Sequence, residues 1–214
     1  MQVLDKIIKA ALAIGFAASV MAPAMADTIA LTPVDTFGLQ AYTGGLGMDF
    51  TVSSGIRITQ LGAFDSGKDG FNNGITVGIF NIATGQLVAP AVTLTTANTL
   101  AVGNNRFIDV TDFDLGMGTY SIVAQGYGDN EKNGNVGTGN APSTVDTAGG
   151  AIAFVGGARY GMSAGFVLPT TLDTGPANRY DAGTFAFTQV PEPATLALFG
   201  FGLLGLSLTR RRSK

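Results

Sequence analysis

The chain has 214 residues, a formal net charge of −3 and no cysteine, histidine or tryptophan. Without cysteine there is neither a disulfide framework nor thiolate chemistry, so stability has to come from a packed core. Without histidine the commonest general base and transition-metal ligand are missing, which argues against an enzyme and leaves carboxylate pairs as the route open to one.

At the N-terminus, Lys6 and Lys9 precede an apolar run over residues 10–20, and Ala24 and Ala26 frame a small-residue site ahead of the polar Asp27. Charged, apolar and small-residue regions in that order make a secretory signal peptide over residues 1–26. The pattern predicts an N-terminal signal helix, passage through the Sec translocon and removal by signal peptidase after Ala26. A buried N-terminal helix would account for the apolar run but not for the site that follows it.

Residues 27–190 are a normal length for one domain with its own core. They carry six basic and thirteen acidic residues, a net charge of −7. Such a surface is repelled by phosphate backbones and anionic headgroups, so nucleic acid is not an expected partner. Apolar and polar residues alternate over 48–52, 56–61, 75–80 and 120–124, with clusters of Gly, Asn and Asp between them, and no window holds a helical period. The expected fold is all-β: a two-sheet antiparallel β-sandwich, jelly-roll or immunoglobulin-like, flanked by the signal helix and a C-terminal transmembrane helix. Residues 128–147 are polar with almost no large apolar side chain and are expected to form a long mobile loop. Residues 151–155 and 184–188 are expected to supply closing strands.

The C-terminus is again tripartite: Pro191, Glu192 and Pro193, an apolar segment over 194–209, and a basic cluster of Arg210, Arg211, Arg212 and Lys214. Two prolines favour extended backbone, leaving an exposed strip suited to a processing enzyme. The apolar segment is shorter than the ~20 residues that span a bilayer comfortably, so a transmembrane helix over 194–209 would cross by thinning the bilayer or by snorkelling. The basic cluster would stay cytoplasmic, placing everything before Pro191 outside. A soluble core helix seldom ends in three consecutive arginines.

Residues 190–198, with Gly202, Leu203, Leu204, Gly205 and Leu206 running on to Arg212, resemble the PEP-CTERM sorting signal. The resemblance implies recognition by exosortase, a membrane transpeptidase-like enzyme, with Pro191, Glu192 and Pro193 as substrate residues and the inner membrane as a transient station. It also implies a Gram-negative envelope or extracellular matrix linked with exopolysaccharide and biofilm. Between Gly45 and about Gly128, the order of Phe50-Thr51-Val52, residues 58–65, Val77-Gly78-Ile79-Phe80, residues 84–88 and Gly118-Thr119-Tyr120 resembles an exported β-sandwich family of unassigned function.

Asp65 and Asp69 in one loop, and Asp129 and Glu131 in another, offer oxygen ligands at alternate positions followed by a glycine, as calcium loops do. Position twelve is Thr76 in the first and Asn140 in the second, so neither has a closing carboxylate, and turn chemistry alone explains both. Asp109, Asp112 and Asp114 read as a solvated strand face. Tyr42, Tyr120, Tyr127, Tyr160 and Tyr180 would stack on sugar rings if several shared one face, and core packing explains them equally well. The sequence therefore predicts a non-enzymatic envelope or matrix protein without a cofactor. The alternative is a carbohydrate-binding module for exopolysaccharide, assisted by calcium, and a hydrolase would require a carboxylate pair in a cleft.

Overall fold

A computed structural model describes residues 26–190. The expected signal and transmembrane helices lie outside this span, as do Ala24, Pro191, Glu192, Pro193, Arg210, Arg211, Arg212 and Lys214. Among the described residues no helix is long and apolar enough to cross a membrane.

The strands in chain order are β1 (Thr28–Ile29), β2 (Leu31–Thr32), β3 (Gly45–Val52), β4 (Ile56–Phe64), β5 (Ile75–Asn81), β6 (Val92–Leu94), β7 (Leu100–Val102), β8 (Asn105–Leu115), β9 (Gly118–Gln125), β10 (Gly134–Asn135), β11 (Thr144–Val145), β12 (Ile152–Gly161), β13 (Thr171–Asp173), β14 (Tyr180–Asp181) and β15 (Gly183–Gln189). One sheet has the order β1-β15-β4-β8-β7 and a second the order β13-β12-β3-β9-β5-β6; β10 pairs with β14 and β2 with β11 in two short ladders. Every pairing is antiparallel. The expectation of an all-β body of antiparallel sheets is met.

The period-2 patterns explain which face of each strand is buried. Leu46, Met48, Phe50 and Val52 of β3 face the same core as Ile75, Val77 and Ile79 of β5 and Tyr120, Ile122 and Ala124 of β9. From the five-stranded sheet, Ile56, Ile58, Leu61 and Ala63 of β4 join Phe185 and Phe187 of β15. On β4 the buried positions step by two, then by three, then by two. Phe185 lies opposite Leu61 and Phe187 opposite Ile58, so two residues of β15 oppose three of β4. That is a β-bulge, and it returns Leu61 to the buried face that strict alternation would have denied it. The sheets meet through aromatic rings: Phe185 lies 4.9 Å from Phe50 across the core and 5.6 Å from Phe187, while Phe50 also touches Tyr120 and Phe154, each at 5.7 Å between centroids.

Residues 128–147 differ from the expected loop. Asn133, Asn135 and Asn140 are buried, the backbones of Gln40 and Asn133 exchange hydrogen bonds of 3.1 and 2.9 Å, and β10 and β11 each pair with a distant strand. The Asn140 side chain accepts from the Leu39 and Asn135 N–H groups and donates to the Phe37 carbonyl at 2.8 Å. The segment packs with few apolar residues because a polar side chain is tolerated inside once hydrogen bonds replace its water.

Asn133 Oδ1 and Asn135 Nδ2 are nonetheless buried without a partner, and Asp181 is likewise incompletely partnered. Its Oδ1 accepts a hydrogen bond from the Ser143 hydroxyl, but its buried Oδ2 has no partner. Burial, with the nearby Asp35 charge adding to it, pushes this carboxyl up to about 6, against the favourable Ser143 bond.

Two predictions follow from these contacts. Phe185→Ala should cost about 3–5 kcal/mol by removing a ring that bridges the sheets; urea unfolding measures it, and a loss under about 1 kcal/mol would contradict the packing described. For Asp181, a raised folded pKa means that the folded protein holds the proton more tightly than the unfolded chain. Its contribution to stability is therefore present below pH 3.8 and is lost as pH rises through about 6. The change is on the order of 3 kcal/mol. Asp181→Asn should flatten that fall in unfolding free energy across the interval, and an unchanged pH profile would refute the assignment.

Candidate functional site

Three of the five tyrosines come together. Tyr42 precedes β3, Tyr160 lies on β12 opposite Leu46 of β3 and Thr171 of β13, and Tyr180 lies on β14. They line a cleft of about 350 Å³, joined by Gln40, Asp173 and Arg179. The Tyr42 and Tyr160 rings meet edge to face, with centroids 6.2 Å apart and planes at 82°. Tyr160 is 36% exposed, Tyr42 half-buried and Tyr180 buried.

The inner wall of the cleft is braced. The Tyr180 hydroxyl donates to Asp173 Oδ2 at 2.5 Å, and Arg179 Nη1 donates to Asp173 Oδ1 at 3.0 Å. The Arg179 guanidinium also lies 5.8 Å from the centre of the Tyr180 ring, within cation–π range. Burial, then the hydrogen bond to Asp173, raises the Tyr180 phenol; burial, then Tyr160, raises that of Tyr42. Both remain neutral hydroxyls at neutral pH, able to donate and accept. The cleft thus offers ring surface, hydroxyls and the Gln40 amide to a polyhydroxylated ligand. Asp173 is the one carboxylate lining it, and both its oxygens are engaged, so the cleft holds no carboxylate pair of the kind that hydrolyses glycosides.

The other two tyrosines serve the core. The Tyr127 hydroxyl donates to the carbonyls of Phe64 and Ala182 at 3.1 and 2.9 Å, and that of Tyr120 to the carbonyl of Gly116 at 3.0 Å. Asp109 accepts from the Gln60 amide and Asp114 pairs with Arg57 at 2.7 Å, while Asp112 is exposed beside them. These three carboxylates form a solvated strand face, as expected.

The calcium candidates are rearranged. The two loops read separately in the sequence meet in space: Asp65, Asp69 and Glu131 each place a carboxylate oxygen within 4.8 Å of the others. Asp129 is exposed and outside the group. Asp65 is fixed by Arg106 Nε, which donates to Oδ2 at 2.6 Å, and by the Gly70 N–H, which donates to both oxygens at 3.1 and 3.2 Å. Gly70 has φ +96°, and a Cβ there would fall 2.4 Å from Thr96 Oγ1, so no other residue fits this turn. Glu131 Oε1 accepts from the Ser66 N–H at 3.0 Å. Burial, with the charges of Asp65 and Asp69 adding to it, pushes the Glu131 carboxyl up to about 7 despite the backbone N–H groups of Ser66 and Asn72, which favour its charged form.

The chain leaves this body from an interior strand. β15 lies between β1 and β4, and just beyond it the Val190 N–H donates to the Gly55 carbonyl at 2.9 Å. At that point a family model for the PEP-CTERM protein-sorting motif matches residues 189–212. The chain carries a PEP-CTERM sorting signal. The PEP-CTERM motif implies an exported protein with exosortase as its processing partner, and is consistent with a membrane-anchored stage before the envelope. No curated protein and no solved structure matches the chain.

Proposed function

We propose that this protein is a non-enzymatic structural or interaction component of the Gram-negative envelope or extracellular matrix, linked with exopolysaccharide or biofilm. In this reading Sec and signal peptidase remove residues 1–26, the tail over 194–209 holds the protein in the inner membrane, and exosortase acts at Pro191, Glu192 and Pro193. The observation that carries the proposal is the sorting signal at residues 189–212. The body delivered is an acidic two-sheet β-sandwich, a reading supported by the single core to which both large sheets contribute. It needs no cofactor for this role.

The test compares cells with and without functional exosortase, and wild type with Glu192→Ala. Wild type should be recovered outside the cell without its basic tail, while the variant and the exosortase-deficient strain keep the tail in the inner membrane. A tail retained under every condition would make residues 194–209 a plain anchor and remove the support for the matrix role.

The clustering of Tyr42, Tyr160 and Tyr180 favours a second reading, binding of the cell's own polysaccharide in the cleft. Tyr160→Ala, which removes an exposed ring without touching the core, should weaken retention on host exopolysaccharide about tenfold, equivalent to roughly 1.4 kcal/mol. Equal retention of wild type and variant would leave the cleft without that role.

A further inference from the structure

We propose that Asp65, Asp69 and Glu131 bind one hard divalent cation of the calcium class, which clips the turn after β4 to the 128–147 segment. The site is independent of the tyrosine cleft and of the sorting signal.

The first observation is the convergence itself. Two parts of the chain far apart in sequence bring three carboxylates together with their oxygens within 4.8 Å of one another. Like charges held this close repel, the more so where water is excluded. Arg106 offsets one of them through Asp65. The flanking Lys68 and Lys132 form no ion pair among the described residues, so no cationic side chain pairs with Asp69 or Glu131.

A second observation points to a ligand. Glu131 is only 2% exposed, and its Oε2 is sealed from solvent with no hydrogen-bond partner. A buried carboxylate oxygen without a donor is costly, and a bound cation supplies what the protein does not. The Asp65 and Asp69 carboxylates face this residue from the turn, and the Ser66 N–H orients its other oxygen.

The donor set selects the cation. All three ligands are carboxylates and the chain has no cysteine or histidine, which disfavours soft and borderline metals. Calcium tolerates irregular shells of six to eight oxygens completed by carbonyls and water, whereas magnesium demands a near-ideal octahedron. Asp69 is exposed, so the ion can approach from solvent and keep part of its water. The missing position-twelve carboxylate of each loop is then no obstacle, because each loop supplies ligands that the other lacks.

The test uses the full exported protein, recovered from the cells that secrete it and stripped with chelator. Calcium chloride should raise the Tm saturably, as expected for a ligand that binds only the folded state. Terbium provides a direct readout: the chain has no tryptophan, and Tyr127, whose hydroxyl bonds the Phe64 carbonyl beside Asp65 at 3.1 Å, is placed to sensitise its emission. One equivalent should bind and be displaced by calcium. Asp69→Asn, an exposed substitution that spares the fold, should weaken calcium binding at least tenfold, and Glu131→Gln should abolish it. If Glu131→Gln fails to fold, Asp69→Asn alone decides. No Tm shift or terbium emission at millimolar metal, or identical titrations for wild type and Asp69→Asn, would overturn the site, and an equal response to magnesium would overturn the calcium class.

Discussion

The 4.9 Å contact between Phe50 and Phe185 joins the two large sheets, and much of the structure depends on it. With no cysteine in the chain, aromatic and aliphatic burial has to hold the sheets together unaided. Phe185 and Phe187 belong to β15, an interior strand with β1 on one side and β4 on the other. Most of the core can therefore be assembled only when a strand late in the chain is in place. The same strand ends where the sorting motif begins, so the segment that closes the fold is also the one by which exosortase processing reaches the body.

A second layer, polar rather than apolar, links the two constellations of functional interest. Residues 128–147 pair with Gln40 through Asn133, next to the tyrosine cleft, and deliver Glu131 to the acidic turn after β4. Its buried asparagines are tied mainly to backbone groups, which fixes geometry at both ends without contributing much to the hydrophobic core. A cation shared by Asp65, Asp69 and Glu131 would fasten one end of this layer, and the Asp173 contacts of Tyr180 and Arg179 brace the other. The tyrosine cleft and the acidic turn thus occupy separate places on a common support.

Much of this was legible in the sequence and some of it could not be. The alternation in β3, β5 and β9 identified buried strand faces, whereas reading 56–61 as plain alternation missed the β4 bulge that the two-then-three spacing of Ile56, Ile58 and Leu61 requires. The sorting signal was readable because its order of parts is linear. Residues 128–147 were misjudged because apolar content predicts burial by the hydrophobic effect and is blind to burial by hydrogen bonds. Asp65 and Glu131 appeared as members of two incomplete loops, since only the fold brings ligands so distant in sequence together. Tyrosine is equally at home in a core and in a cleft, so nothing local distinguished Tyr127 from Tyr160.

The most direct measurement is the intact mass of the protein after export, which fixes its final residue. An interior β15 requires that processing spare the strand, so the mature product should end at or beyond Gln189, keeping Phe185 and Phe187 within the core. A folded, exported product that ends before Gly183 would contradict the placement of this strand and, with it, the link between the sorting signal and a completed β body.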